Sequence, residues 1–208
     1  MKTKNKALLL ALCAVSLVTA SVFGTMAYLT DSKTVNNTFT VGSVAITMDE
    51  TDVNDDGTPV VNAGRVQENT YKLLPGHEYT KDPQIHVDPN SEDCYLFVKV
   101  ENGIEDIEST DEGKSVAAQM DAQGWVAVDK QRYPDVYVKM NGDALQIVEG
   151  GEDVDVFEKL TIDGATVDKT KLDQYKNATI RVTAYAVQKD GFEGKTAAQI
   201  WAAAFPTV

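Results

Sequence analysis

The strongest constraint on the fold is a period of two: Val44, Ile46 and Met48 alternate with small or polar residues, and only a strand turns every second side chain to one face. Short apolar segments of the same kind recur to the end of the chain. The spacing predicts strands over 41–48, 71–74, 84–87, 95–100, 125–128, 136–140, 145–148, 156–162 and 179–188. Turn residues punctuate them, Pro75-Gly76 and Pro89-Asn90 among others, and an acidic, turn-rich stretch fills 49–64. Two segments break the pattern. In 114–122, Val116, Ala117 and Met120 fall at helical spacing ahead of a Gly124 stop. In 196–205, Ala197, Ile200, Trp201 and Ala204 share a face, with Thr196 as N-cap and Pro206 as terminator. Many short strands with two small helices, the second near the C-terminus, predict a mainly β fold, an antiparallel jelly roll or β-sandwich.

The front of the chain reads differently. Lys2, Lys4 and Lys6 precede a mostly apolar run from Ala7 to Phe23, and Thr25 and Ala27 then stand two apart. Only small side chains fit beside the bond that a signal peptidase cuts, so residues 1–27 are expected to be a signal peptide cleaved between Ala27 and Tyr28. The alternative is a retained anchor, since the run is only slightly shorter than the roughly 20 residues that span a bilayer. Cleavage is favoured because Gly24 and its small neighbours break the run and no basic stop-transfer cluster follows.

Cleavage removes three lysines and no acid, so the formal net charge of −13 becomes still more negative. Such a surface repels nucleic acid and anionic lipid, which excludes both as expected partners, and favours association bridged by cations. Cys13 leaves with the signal peptide, and Cys94 remains as the one thiol at the head of an apolar strand. Its sequence neighbours Glu92 and Asp93 would raise a thiol pKa, so a buried core residue is expected there and not a nucleophile.

No catalytic constellation is expected. The two histidines are His77 and His86. His77-Glu78-Tyr79-Thr80-Lys81 begins like H-E-x-x-H but has Lys81 at the second ligand position and lies in a β-rich stretch, where helical spacing is lost. Two surface or loop histidines are the expectation, and no G-x-S-x-G elbow occurs. Asp52, Asn54, Asp56 and Gly57 match the opening of a calcium loop, but Ala63 occupies the twelfth position and Pro59 the eighth. An acidic surface turn is expected, with weak calcium binding as the alternative and no other cofactor.

Two runs carry a family resemblance: Gly24-Thr25-Met26-Ala27-Tyr28-Leu29-Thr30-Asp31-Ser32, and Asn37-Thr38-Phe39-Thr40-Val41-Gly42-Ser43-Val44. They resemble the start of the TasA and camelysin family, secreted Gram-positive proteins that are processed by a SipW-type signal peptidase and occur as fibres in biofilm matrices. Leu74-Pro75-Gly76, Lys81-Asp82-Pro83 and the strand 95–100 resemble the family's next stretch, while the acidic segment 49–64 departs from TasA itself. The resemblance implies a single jelly-roll-like domain over 41–208, preceded by a donor segment, 28–40, that completes the sheet of the next subunit. Tyr28, Leu29, Thr30, Asp31, Val35 and Phe39 would be its working residues. Such a segment has few large apolar side chains and gains little on its own chain, but pairs its backbone when added to an exposed sheet edge. A flexible leader or an ordinary first strand is the plainer alternative.

The implied partners are further copies of the chain, the signal peptidase during export, and accessory matrix proteins. The implied place is the extracellular matrix or cell surface; the chain lacks an L-P-x-T-G sorting motif for covalent wall attachment. A secreted adhesin or accessory matrix protein is the second reading, and a camelysin-type metallopeptidase the third.

Overall fold

The computed structural model describes residues 43–206. The cleavage site and the donor residues Tyr28, Leu29, Thr30, Asp31, Val35 and Phe39 lie outside the described residues. The elements are β1 (Ile46–Thr51), β2 (Arg65–Val66), β3 (Glu78–Thr80), β4 (Gln84–Val87), β5 (Cys94–Asn102), α1 (Val116–Ala122), β6 (Trp125–Asp129) and β7 (Tyr133–Asn141). They continue as β8 (Ala144–Leu145), β9 (Asp153–Asp155), β10 (Lys159–Thr161), α2 (Lys169–Leu172), β11 (Ile180–Gln188) and α3 (Ala197–Ala204). The protein is therefore mainly β, and every strand pair among the described residues is antiparallel. One sheet runs β2-β1-β4-β9, another β11-β5-β7-β6 with β8 beside β7, and β10 pairs with β3.

Two cores follow from the period of two on β5. Leu96, Val98 and Val100 face the main core, where they meet Ile85, Val87, Val154 and Leu160 from the other sheets. Tyr95 and Phe97 point the opposite way, into a second core closed by Ile200 and Trp201 of α3. A central strand covered on both faces reads as a continuous apolar run, which is why Tyr95-Leu96-Phe97-Val98 shows no alternation. Trp125 binds the layers further: its buried indole donates from Nε1 to the Asp155 carbonyl at 2.9 Å, linking β6 to β9.

The helices start where side chains can satisfy their free N–H groups. Ser115 accepts from Ala118 N at 3.2 Å to open α1. Thr196 and Gln199 form a reciprocal capping box at α3. Three α-helices are present among the described residues where two helices were expected. The additional one, α2, is a single turn capped by Asp168, which accepts from Lys171 N at 2.8 Å.

Four expected strands differ. No strand forms over 71–74, because its backbone is held by other groups: the Tyr79 hydroxyl accepts from Leu74 N at 2.6 Å and donates to the Lys72 carbonyl at 2.8 Å, and Lys72 N donates to Asp55 O at 2.7 Å. The strand here is β3, a few residues later. β1 begins at Ile46 and runs into the acidic stretch as far as Thr51, because Asp82 accepts from Thr51 N and Arg65 pairs with Asp49. The expected strand 156–162 is a crossing between sheets: Val156 and Phe157 are consecutive and both fully buried, which one half-exposed strand cannot provide, and they separate β9 from β10. The expected strand 145–148 shrinks to β8 and a single bridge from Val148 to Cys94.

Candidate functional site

β11 pairs with β5 along its whole nine-residue length, from Ile180 opposite Asn102 to Gln188 opposite Cys94. Among the described residues nothing pairs with its other side. Beside the first residues of this open edge lies a groove of about 1120 Å³. Ile180 and Val182, Leu172 and Tyr175, and residues of the segment 67–75 line it. Met48 and Leu160 also line it, so the groove presents apolar side chains next to backbone that is unpaired among the described residues. Leu74 is 42% exposed on its rim, although apolar.

The polar part of this groove is a cluster that sequence reasoning missed. Val44, Ile46 and Met48 pack against the main core, and the next position in that series is Glu50, which is 5% exposed. A carboxylate at an inward position needs compensation. Lys81 Nζ lies 2.6 Å from Glu50 Oε2, and Asn69 Nδ2 donates to Oε1 at 3.0 Å. Asn69 is itself fixed: Nδ2 also donates to Thr51 O at 2.8 Å, and Oδ1 accepts from Val53 N at 3.1 Å. The Tyr71 ring covers Lys81, with Nζ 5.7 Å from its centroid, and its hydroxyl donates to Thr80 O. Burial, reinforced by the charges of Glu50 and Asp82, pushes the Tyr71 hydroxyl well above its ordinary pKa. The signal available in the sequence was the continuation of period two onto an acid.

On the outward face of the first sheet, charges form a row across four strands. Arg65 Nε of β2 pairs with Asp49 Oδ1 of β1, which also meets His86 Nε2 of β4 at 3.0 Å. His86 Nδ1 in turn lies 2.6 Å from Asp153 Oδ1 of β9. Arg65 also reaches Asp82 at 3.0 Å. Burial opposes the charge on Asp49, but hydrogen bonds from His86 and Arg65 outweigh it and hold the carboxyl below its usual range. His86 is raised by its hydrogen bonds to Asp49 and Asp153. His86 is a partly exposed residue on the outward face of β4, where its side chain joins three strands. His77 sits in the turn before β3, its Nε2 2.8 Å from the Asp56 carbonyl.

The stretch holding Asp52, Asn54 and Asp56 is a turn built on its own hydrogen bonds. Asp56 Oδ1 accepts from Thr58 N and Oγ1, at 3.0 and 2.6 Å, and these bonds keep its carboxyl below the usual range. Asn54 Nδ2 donates to Thr58 O, and Asp52 O accepts from Val60 N. Gly57 is there because of φ +77° and because a Cβ would stand 2.7 Å from Tyr79 Cα. Among the described residues no group of three His, Cys, Asp or Glu is arranged to hold a metal ion. Cys94 is fully buried, and burial, then the charges of Asp93 and Glu152, push its thiol up to about 11. No family model matches the chain, and no curated protein matches it.

Proposed function

We propose that the chain is a secreted, non-enzymatic fibre subunit of jelly-roll type, whose segment 28–40 adds as a strand to the open edge of β11 on the next copy. The observation that carries this reading is the long edge of β11, unpaired among the described residues, beside a groove lined by both apolar and polar side chains. An edge of that length is a template for another chain, and natural proteins blunt or cover such edges when association is unwanted. At about 3.3 Å per residue, the extended segment 28–40 is longer than β11 and able to pair along all of it. On an extended segment Leu29, Val35 and Phe39 share one face and Tyr28 takes the other, so the first three would supply apolar side chains to one side of the sheet. A head-to-tail contact of this kind does not close on itself and repeats as a filament. Cleavage between Ala27 and Tyr28 would release the segment from its tether, making export the trigger of assembly.

The test is electron microscopy and light scattering on the chain from Tyr28 to Val208 beside the chain from Val41 to Val208. Filaments from the longer chain alone are expected. Equal filaments from both would refute strand donation, and monomers from both would move the reading to an adhesin or accessory matrix protein.

A further inference from the structure

We propose that Lys81 and Asn69 are joined by an intramolecular isopeptide bond, with Glu50 carrying the protons. The three groups such a reaction needs are already assembled: an amine, a carboxamide and one carboxylate bonded to both, Nζ at Oε2 and Nδ2 at Oε1. The Glu50 side chain is 6% exposed and that of Lys81 11%, so bulk water is held away from both. The Asn69 carbonyl oxygen accepts from Val53 N at 3.1 Å, a donor placed where negative charge would develop on attack.

The steps balance without any oxidant. Lys81 Nζ passes a proton to Glu50 Oε2, and the neutral amine attacks Asn69 Cγ, so that the new C–N bond forms as the carbonyl electrons move to Oδ1. This requires Nζ to close to about 3–3.5 Å from Cγ, a movement within the reach of the flexible lysine stem. Glu50 then protonates Nδ2, the C–Nδ2 bond breaks, and ammonia departs. Glu50 removes the second proton from Nζ and gives it to the ammonia. An amide and an ammonium ion replace the amine cation and the carboxamide, with the carboxylate restored.

The bond would tie the start of the groove wall, Asn69, to the residue that follows β3. It does not depend on what occupies the groove, and it holds or fails whether or not filaments form.

The test is intact-mass and tryptic peptide mass spectrometry on the full chain as exported and purified. The expected mass is lower than that of its sequence by one ammonia, about 17 Da, with a branched peptide joining 66–72 to the peptide that carries an uncut Lys81. Both signatures should vanish in Glu50→Gln and Lys81→Arg. An undiminished mass with Asn69 and Lys81 in separate unmodified peptides overturns the proposal, and this reading needs no variant to fold. A loss of ammonia that persists in Lys81→Arg overturns it as well, since Asn69 would then have cyclised onto its own backbone.

Discussion

His86 holds Asp153 across the β4–β9 pair, Nδ1 to Oδ1 at 2.6 Å, while its Nε2 faces Asp49 of β1 at 3.0 Å. Both ring nitrogens meet carboxylate oxygens, an arrangement that suits the imidazolium, which donates from both. The folded pKa is raised, so this stability is complete below the unfolded value near 6.5 and is lost as pH rises through the folded value. Asp49 works in the opposite sense: its folded pKa is lowered, so its contribution is present above the unfolded value of 3.8 and lost as pH falls. Arg65 remains charged throughout and keeps Asp49 partnered when His86 is neutral.

The first prediction follows for His86→Gln. Urea unfolding of wild type and variant should differ by about 0.5–1 kcal/mol at pH 6, given a partly exposed site. The gap should narrow as pH rises through neutrality and beyond. A constant gap across that range would show that the histidine's charge does not hold the strands together.

The second prediction concerns the acidic turn. Gly57→Ala must place a Cβ against the Tyr79 backbone and hold an L-residue at φ +77°. The loss should be about 1–3 kcal/mol in urea unfolding. Gly113, at a similar φ of +76° but with nothing near its Cβ, supplies the comparison: Gly113→Ala should cost about 1 kcal/mol. Equal losses at the two sites would mean that the Tyr79 contact has relaxed away.

The long features were legible because their signals are local. β5 and β11 are continuous apolar or alternating runs, and α3 has its cap, apolar face and terminator within a few residues of one another. What escaped depends on contacts made at a distance. The segment 71–74 has strand composition, but the Tyr79 hydroxyl takes its backbone groups. The crossing at Val156 and Phe157 looks like strand because both are apolar, while the sheet each neighbour joins is decided by tertiary packing. The Glu50 cluster draws on three segments, and only the period-two series gave a local sign of it. The His86 row likewise needs β1, β4 and β9 to be neighbours first.

The third prediction tests the second core. Trp201 is fully buried among Phe97, Tyr185 and Phe205, and its Nε1 has no hydrogen-bond partner among the described residues. The Tyr185 ring stands 5.0 Å away at 83°, an edge-on geometry. Trp201→Phe removes an unpaired N–H along with some volume and should cost less than about 2 kcal/mol, whereas Trp201→Ala should cost about 3–5 kcal/mol. If the two cost the same, the indole N–H has an energetic role that the ring contacts do not reveal.

The fourth prediction separates the fold from assembly. Leu74 is 42% exposed on the groove rim, and its backbone N–H, not its side chain, makes the bond to Tyr79. Leu74→Glu should therefore leave stability within about 0.5 kcal/mol of wild type. In the proposed filament the same carboxylate would face an incoming strand that carries apolar side chains, and burying it unpaired would cost several kcal/mol at every junction. The chain from Tyr28 to Val208 carrying Leu74→Glu should stay monomeric at concentrations where the parent forms filaments, with an unchanged circular dichroism spectrum and melting temperature. Filaments in undiminished yield would remove this groove from the assembly contact and direct the search to the other end of β11, near Gln188.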